Sequence, residues 1–305
     1  MTHTGWSVFS FDGIGTSWEV STPEDLPEGV RAGLLGVVED YDRSYSRFRD
    51  DSVIAGLARE PGTVTLPAGA GELEGLFRKL YRLSHGAMTP LIGGSLERLG
   101  YGADYALRPL GHPAPAPRWE DVLVWSGTSI TASAPVVLDV GAAGKGQLVD
   151  LVAAVLRSAG ITRFLVDASG DMLHSGAEPF CAEPFSAEPL SAEPLSVALE
   201  HPYDASQAIG VVELLNGALC ASAANRRAWG DGLHHVLDGA TGRPIETVVA
   251  TWTMAATAME ADALATALFM VDPSVLEGEF EFSWLKVYSD GHAAYSAGFE
   301  GTLFS

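Results

Sequence analysis

The stretch Thr257-Ala-Met-Glu-Ala-Asp-Ala-Leu-Ala-Thr-Ala-Leu-Phe-Met270 is the part of the chain around which the rest is organised. Ala, Leu, Met and Glu dominate it, and neither Gly nor Pro interrupts it, so it predicts a helix. Most of the helix surface is apolar, which predicts that the helix is buried. Asp262 and Thr266 break this surface, and because they are four residues apart they share one face, about one turn from each other.

These two polar residues have two interpretations. A carboxylate in an apolar helix is costly unless something pairs with it. A carboxylate and a hydroxyl stacked on one face offer the oxygen ligands that a hard cation such as Mg²⁺ prefers. Alternatively, Asp262 caps or pairs within the fold and Thr266 bonds back to its own backbone. The helix by itself leaves both interpretations open.

The composition limits the classes of function. The chain has 305 residues, 47% of them hydrophobic, enough for one large domain or two modest ones with a substantial core. It carries 18 Lys and Arg against 39 Asp and Glu, a net charge of −21. This balance argues against a general nucleic-acid-binding protein and against docking on anionic membranes, because both need a basic face. A local basic pocket for a phosphorylated ligand is still compatible with it.

The sequence carries no recognisable targeting pattern. The start, Met1 to Ser10, lacks a positive region followed by an apolar run, and no uninterrupted apolar stretch reaches the length of about 18 residues that a membrane span needs. Cys181 and Cys220 imply no disulfide framework and fit a reducing compartment. We therefore expect a soluble, cytoplasmic protein, although a chain trimmed of its leader would look the same.

A Gly-rich segment in the middle of the chain suggests a binding turn. Val136 to Val140 reads as an apolar strand, the small residues up to Gly146 as a turn, 147–159 as a helix and 161–166 as a strand, a βαβ-like unit. Such a turn presents free N–H groups to an anion, and Lys145 adds a positive charge. The segment is neither a Walker loop nor a dinucleotide fingerprint. A phosphate site and a plain turn both remain open.

An internal repeat follows at residues 177–196, where Ala-Glu-Pro-Phe or Ala-Glu-Pro-Leu recurs four times, each followed by Cys or Ser. A Pro in every five residues excludes an ordinary helix, and the Glu residues repel each other. We expect an extended, mobile Pro/Glu-rich insertion without a catalytic role. A Pro-rich ligand for a partner protein is the alternative.

A pair of histidines, His234 and His235, precedes the turn Asp238-Gly-Ala-Thr-Gly242. Two His residues can bind a metal, but no third nitrogen or sulfur ligand lies nearby in the sequence, which argues against zinc. A single His acting as a proton acceptor is the better interpretation.

Taken together, these blocks resemble the ApbE family of FAD:protein FMN transferases. The order and spacing of the blocks carry the resemblance, and together they cover most of the chain. They are Gly15-Thr16, Ser46-Arg-Phe-Arg-Asp-Asp-Ser52, Leu138-Asp-Val-Gly-Ala-Ala-Gly-Lys-Gly146, His235-Val-Leu-Asp-Gly-Ala-Thr-Gly-Arg-Pro244 and Ala261-Asp-Ala-Leu-Ala-Thr266.

The resemblance implies a fold and an activity. The expected fold is α+β, a mixed α/β, two-lobed and T-fold-like architecture that forms a single domain over residues 1–305. The expected activity is the Mg²⁺-dependent transfer of FMN from FAD to a Thr or Ser hydroxyl of an acceptor flavoprotein, which forms a phosphoester and releases AMP. Two alternatives are an FAD pyrophosphatase that yields FMN and AMP, and an FAD-binding protein without turnover.

The resemblance also assigns roles to residues. Mg²⁺ would be held by Asp262, Thr266 and the carbonyl of Ala142. Lys145 and Asp139 would position the cofactor, and His235 is the candidate general base for the incoming hydroxyl. The remaining positions expected to contact FAD are Ile14, Phe48, Ala87, Met88, Thr89 and Leu237.

Several residues depart from the family pattern. Thr89 replaces the usual Asp and Gly239 the usual Pro. Ala58 stands where the family has Asn, and Gly144 where it has Ala. The usual Gly-Asp pair after Ser222 is Ala223-Ala224. These changes leave the expected magnesium ligands intact and put flavin affinity and the rate of transfer in question.

Overall fold

The computed structural model describes residues 5–176 and 194–304. Helices and strands alternate along the chain, which confirms the expected mixed α/β class. Most of the predicted insertion, residues 177–193, lies outside the described residues. Within the described parts of the chain, no helix combines the length and the apolar character needed to cross a bilayer.

The helices of the described residues are α1 Glu28–Tyr45, α2 Gly56–Arg59, α3 Ala70–Leu83, α4 Gly93–Arg98, α5 Trp119–Val122, α6 Gly141–Ser158, α7 Ala258–Ala267 and α8 Pro273–Glu277. The first strands are β1 Ser7–Gly13, β2 Thr16–Thr22, β3 Gly62–Thr65, β4 Leu123–Ser126, β5 Ser129–Ala132, β6 Phe164–Asp167, β7 Met172–Ser175, β8 Leu195–His201 and β9 Asp204–Leu214. They are followed by β10 Asn216–Ala223, β11 Ala228–Trp229, β12 Leu233–His234, β13 Leu237–Asp238, β14 Arg243–Pro244, β15 Val248–Ala255, β16 Ser283–Tyr288, β17 Ala293–Tyr295 and β18 Gly301–Leu303.

A sheet of eight strands organises the fold, in the order β1-β2-β6-β7-β10-β15-β16-β17. Its neighbouring strands all pair antiparallel. Side chains alternate between its two faces, as the strand period of two requires. Phe164, Val166 and Cys220 join the core under the helices, whereas Leu165 and Leu219 face the smaller sheet of β8, β9 and β18. The described chain is therefore layered as helices, large sheet and small sheet.

The predicted central helix is confirmed as α7, which begins at Ala258 and ends at Ala267. The hydroxyl of Thr257 caps it by accepting from the Glu260 N–H at 3.3 Å. Ala261, Ala265 and Leu264 are fully buried, because the helix lies between α6 and the large sheet. The apolar composition of this stretch thus predicted both its structure and its burial.

The predicted βαβ-like unit is wrong. Residues 136–140 form no strand, and α6 already begins at Gly141, so the segment read as a Gly-rich turn is the first part of a helix. Strand β6 then pairs antiparallel with β2 and β7. The glycines serve close packing instead: a Cβ on Gly146 would lie 2.1 Å from the carbonyl oxygen of Ala258.

A tight hairpin at residues 13–16 joins β1 and β2. Gly13 pairs with Thr16, and the two turn residues, Ile14 and Gly15, have φ of 45° and 77°. Positive φ at both central positions is the type I′ geometry that matches the twist of the flanking strands. Thr16 lines a cavity together with residues of α6 and α7.

Candidate functional site

A cavity of about 320 Å³ lies where α6 and α7 meet the ends of several strands. Its volume is at the lower end of the range of small-molecule sites, roughly 300–1,000 Å³. The structure gathers in its lining ten residues that the sequence singled out from separate blocks. They are Ala87, Met88, Thr89, Asp139, Ala142, Lys145, His235, Leu237, Asp262 and Thr266.

Asp262 and Thr266 both open onto this cavity from α7. Asp262 is 5% exposed, and its Oδ2 accepts a hydrogen bond from the N–H of Gly146 at 2.9 Å. The Oγ1 of Thr266 lies 3.2 Å from the Oγ of Ser222. Asp262 therefore pairs with a neighbouring helix and does not cap its own. The hydroxyl of Thr266 points to a side chain, so its predicted alternative role on its own backbone is not the one observed.

A second carboxylate, Asp171, lies in the same cavity and was not assigned a role from the sequence. Its Oδ2 lies 2.9 Å from the Nζ of Lys145, and its Oδ1 accepts from the N–H of Ala221 at 3.3 Å. Asp171 ends the Asp-Ala-Ser-Gly-Asp turn after β6, a polar cluster behind a buried strand. That position was the only sequence signal available, because the pairing with Lys145 bridges two distant segments.

The charge of Asp171 affects the ionisation of Asp262. Burial, and then the charge of Asp171, raise the pKa of Asp262 well above its ordinary value, while Lys145 and the Gly146 N–H oppose the shift. Burial disfavours the charge of Lys145, but Asp171 and Asp262 outweigh it and raise the pKa of the ammonium. Two buried carboxylates sharing one lysine form a place where an additional cation is favoured.

The oxygen atoms present fit Mg²⁺. The lining includes Asp262, Thr266 and Ala142, whose carboxylate, hydroxyl and backbone carbonyl are hard oxygen donors. Among residues 5–176 and 194–304, no group of three or more His, Cys, Asp or Glu side chains is placed to hold a metal. A small set of protein ligands suits Mg²⁺, which keeps several waters and binds substrate phosphates.

Asp139, another carboxylate in the cavity lining, is paired with Arg47 and Gly141. The Nε of Arg47 lies 2.6 Å from Asp139 Oδ2, and the N–H of Gly141 donates to Asp139 Oδ1 at 2.7 Å. Burial disfavours the charge of Asp139, but Arg47 and Gly141 prevail and lower its pKa. Arg227 also lines the cavity and donates to the hydroxyl of Tyr101 at 3.0 Å. The sequence did not single out either arginine.

His235 faces the cavity as a neutral imidazole. Burial, followed by the charges of Arg227 and His234, lowers its pKa to about 3. Its Nδ1 is buried and has no hydrogen-bond partner among the described residues. His234 is engaged by the backbone, since its Nε2 lies 3.1 Å from the Ile245 carbonyl and its Nδ1 accepts from Val236 N–H at 3.3 Å. Both ring nitrogens of His234 are therefore engaged by the backbone, whereas His235 keeps one ring nitrogen without a partner among the described residues.

Two predicted FAD contacts lie outside the cavity lining. Ile14 sits in the β1–β2 turn, two residues before Thr16, which does line the cavity. Phe48 lies with the Arg47 guanidinium 4.1 Å from its ring centroid and Tyr105 stacked at 5.2 Å. A planar ligand would have to displace one of these neighbours to stack on Phe48. The contacts of both residues with FAD stay predictions.

Two departures from the family pattern contact each other. The N–H of Gly239 donates to the carbonyl of Ala87 at 2.8 Å, a bond that a Pro cannot make. A Cβ on Gly239 would lie 2.6 Å from the Cγ2 of Thr89. Thr89 in turn caps the short helical turn after it by accepting from Leu91 N–H at 3.2 Å. Gly239 therefore packs directly behind Ala87 and Thr89, which line the cavity.

Fold and cavity together define a class: a mixed α/β protein in which two packed helices carry oxygen donors and a lysine into one cavity, suited to a phosphate-bearing ligand and a hard cation. The sequence profile of the ApbE family matches residues 14–278. The chain belongs to the ApbE family.

Curated relatives and solved structures agree with this assignment. The chain is 24% identical over 295 residues to FAD:protein FMN transferase of Klebsiella pneumoniae (strain 342), covering 90% of this chain and 81% of that protein. It is 30% identical over 277 residues to FAD:protein FMN transferase of Rhodobacter capsulatus, covering 84% of this chain and 49% of that protein.

Two solved structures share the fold. The ApbE protein of Thermotoga maritima superimposes with a TM-score of 0.81 at 21% identity, over 97% of this chain and 99% of that one. The flavin transferase ApbE of Vibrio cholerae gives a TM-score of 0.76 at 19% identity, over 96% of this chain and 98% of that one.

Proposed function

We propose that this chain is an FAD:protein FMN transferase that depends on Mg²⁺ and joins FMN to a Thr or Ser hydroxyl of an acceptor flavoprotein. The hydroxyl oxygen forms a bond to the phosphorus of the FMN half of FAD, the bond from that phosphorus to the AMP phosphate breaks, and AMP leaves. The observation that carries the proposal is the convergence of Ala142, Lys145, Asp262 and Thr266 in one cavity of an ApbE-family fold. We infer that the whole chain serves this one transferase domain.

Ala142, Asp262 and Thr266 are the residues that would hold Mg²⁺. When bound, the ion would neutralise charge on the diphosphate, including the charge that develops on the leaving AMP. The two buried carboxylates in the cavity support this assignment, because Asp171 pairs with Lys145 and its charge, together with burial, raises the pKa of Asp262 well above its ordinary value.

Lys145 and Arg227 supply positive charge for the phosphates of FAD. Asp171 holds the ammonium of Lys145 at 2.9 Å, which keeps the side chain in one position within the cavity. Asp139, fixed by Arg47, faces the cavity as a hydrogen-bond acceptor for the ligand. The wall formed by Ala87, Met88 and Thr89 together with Leu237 provides mostly apolar contact.

His235 is the candidate base that takes the proton of the acceptor hydroxyl. Its imidazole is neutral at physiological pH, and its Nδ1 has no hydrogen-bond partner among the described residues. A pKa near 3 makes it a weak base in the ligand-free protein. The negative phosphates of bound FAD stabilise an imidazolium and raise this pKa, so the base strengthens once substrate is in place.

The test is incubation of the purified chain with FAD, Mg²⁺ and a flavoprotein domain that carries a candidate acceptor Thr, followed by intact-mass analysis. Transfer adds one FMN to the acceptor, and the same acceptor with Ala at that Thr stays unmodified. Release of free FMN without acceptor modification would instead support FAD hydrolysis. The change at Thr89 from the family pattern is the reason to consider this alternative. Bound but intact FAD would indicate a binding protein without turnover.

A further inference from the structure

Helices α6 and α7 are tied together by hydrogen bonds that run in both directions. Asp150 on α6 accepts from the first two amides of α7, Ala258 N–H to Oδ1 and Met259 N–H to Oδ2, each at 2.9 Å. In return, the N–H of Gly146 on α6 donates to Asp262 on α7 at 2.9 Å. Each helix therefore holds the other through a carboxylate.

These bonds fix a very close approach of the two helices. A Cβ on Gly146 would lie 2.1 Å from the carbonyl oxygen of Ala258, so no side chain fits at that point. Asp150 follows Gly146 by one helical turn, and Asp262 follows Ala258 by one turn. Asp150 and the Ala258 and Met259 amides that it binds are called the clamp. The clamp lies one turn from Asp262 on α7 and two turns from Ala142 on α6, two of the residues proposed to bind the cation.

Asp150 itself is not part of the cavity lining. Its carboxylate is aimed at the start of α7, where the unpaired N–H groups and the positive end of the helix dipole favour a negative charge. We therefore expect Asp150 to contact neither FAD nor the cation in this cavity. What it does control is the position of the helix that carries Asp262 and Thr266.

We propose that Asp150 is a positioning residue for the cation site: by clamping the start of α7 to α6 it sets the spacing between Ala142 on one helix and Asp262 and Thr266 on the other. This inference rests on the proposed Mg²⁺-dependent function. Mg²⁺ tolerates little deviation from its octahedral geometry, so a site assembled from two helices depends on how rigidly they are joined.

Thr257 provides a matched control, because it also caps α7 but makes no bond to α6. Its hydroxyl accepts from Glu260 N–H at 3.3 Å, within the same helix end. Asp150→Asn keeps the size of the side chain but offers only one acceptor oxygen to two N–H groups. Thr257→Val removes the ordinary cap. Both changes weaken the start of α7, and only the first loosens the clamp between the helices.

The experiment titrates Mn²⁺ alone into the parent protein and both variants, followed by electron paramagnetic resonance, with Mg²⁺ as competitor. Asp150→Asn is expected to weaken binding of both ions by about tenfold or more, the range typical of residues that support metal ligands. Thr257→Val is expected to bind them like the parent. Thermal unfolding of the same samples reports whether the two variants lose comparable stability.

Equal ion affinity in Asp150→Asn and the parent would overturn the inference, as would equal weakening in both variants. A parent that binds neither ion would overturn the proposed Mg²⁺ dependence and the inference with it. If Asp150→Asn does not fold, hydrogen exchange on the parent decides. Mg²⁺ should then slow exchange of the Ala258 and Met259 amides and leave Ser274, which donates to Asp272 on α8 at 2.9 Å, unchanged. Unaltered exchange at Ala258 and Met259 contradicts the coupling.

Discussion

At the scale of single residues, Asp262 is the position on which the cation site depends most. Asp262→Asn keeps the side-chain volume and can still accept from Gly146, but it removes the charge that faces the cavity. We expect Mg²⁺-dependent turnover to fall by more than the roughly 10–100-fold typical of supporting residues. The measurement is the initial rate of FMN transfer against Mg²⁺ concentration.

Asp272→Asn serves as the control, because Asp272 is a carboxylate at the start of another helix, α8, where it caps Ser274 N–H. That variant should keep the parent rate. A rate in Asp262→Asn equal to that of the parent would remove Asp262 from the proposed cation site.

His235 gives a prediction about stability and pH. Its pKa is about 3 in the folded protein and 6.5 in its unperturbed state, because burial disfavours the imidazolium. Between these values the unfolded chain binds a proton that the folded chain does not, so stability is lost as the pH falls below 6.5. At pH 5 this loss amounts to about 2 kcal/mol.

His235→Asn has no imidazole at this position and therefore lacks this pH-dependent loss of stability. Urea unfolding at pH 7 and pH 5 should show that the variant loses about 2 kcal/mol less free energy of unfolding than the parent does over this interval. His112→Asn, on an exposed loop, is the comparison variant. If parent and His235→Asn lose stability equally, the imidazole titrates in the folded state as it does in the unfolded chain.

Which site residues the sequence could predict follows from where their signals lie. Asp262 and Thr266 were visible because two polar groups interrupt one apolar helix, and the metal interpretation of their spacing survives as a proposal. Asp171 and Arg47 were not assigned, since each acts through a partner far away in sequence, Lys145 and Asp139 respectively. Local patterns contain no information about such pairings.

At the scale of elements, the contact between α6 and α7 explains why the Gly-rich segment was misread. Glycine lowers helix propensity by about 1 kcal/mol, so the sequence alone favours a turn at residues 141–146. The structure places these residues in α6, because Gly146 lets the backbone of α7 approach closely. Tertiary packing overrides local propensity here, and only the three-dimensional arrangement reveals it.

Gly146→Ala tests this contact. The new Cβ would lie 2.1 Å from the backbone oxygen of Ala258, so the helices must separate. We expect a loss of about 1–3 kcal/mol in the free energy of unfolding, typical of overpacking. Gly75→Ala, on the exposed side of α3 where nothing lies within 4 Å of the added Cβ, should instead gain about 0.5–1 kcal/mol.

Chemical denaturation of both variants measures these changes. Opposite signs are the expected result, because both substitutions replace a helical Gly by Ala and differ only in what surrounds the new methyl group. A stabilised Gly146→Ala protein would mean that α6 and α7 are not in the close contact described.

At the scale of the whole molecule, the family and the mixed α/β fold predicted from ordered sequence blocks are confirmed. The layering of helices, large sheet and small sheet could not be predicted from the sequence, because it depends on strand pairings such as β2 with β6 that join distant segments. The net charge of −21, by contrast, was available at once and has a consequence for substrate binding. An acidic protein repels the diphosphate of FAD.

We therefore predict that Mg²⁺ and FAD bind cooperatively. The buried pair of Asp171 and Asp262 opposes the approach of an anion, and a divalent ion in the cavity reverses the local charge. Mg²⁺ should strengthen FAD binding by 1–3 kcal/mol, about 5–150-fold, and by linkage FAD should strengthen Mg²⁺ binding equally. Calorimetric titration of FAD with Mg²⁺ and with EDTA measures this coupling.

General screening of the negative charge would also favour FAD, so the EDTA sample is brought to the same ionic strength with NaCl. Screening alone acts on the whole surface and should leave Asp262→Asn responding to Mg²⁺ as strongly as the parent. Local binding predicts that the coupling disappears in that variant and persists in Asp272→Asn. FAD affinity that is the same in EDTA and in Mg²⁺ would show that the cation does not contact the diphosphate in this cavity. Two oppositely charged ligands that bind side by side in one site attract each other, so they cannot bind independently.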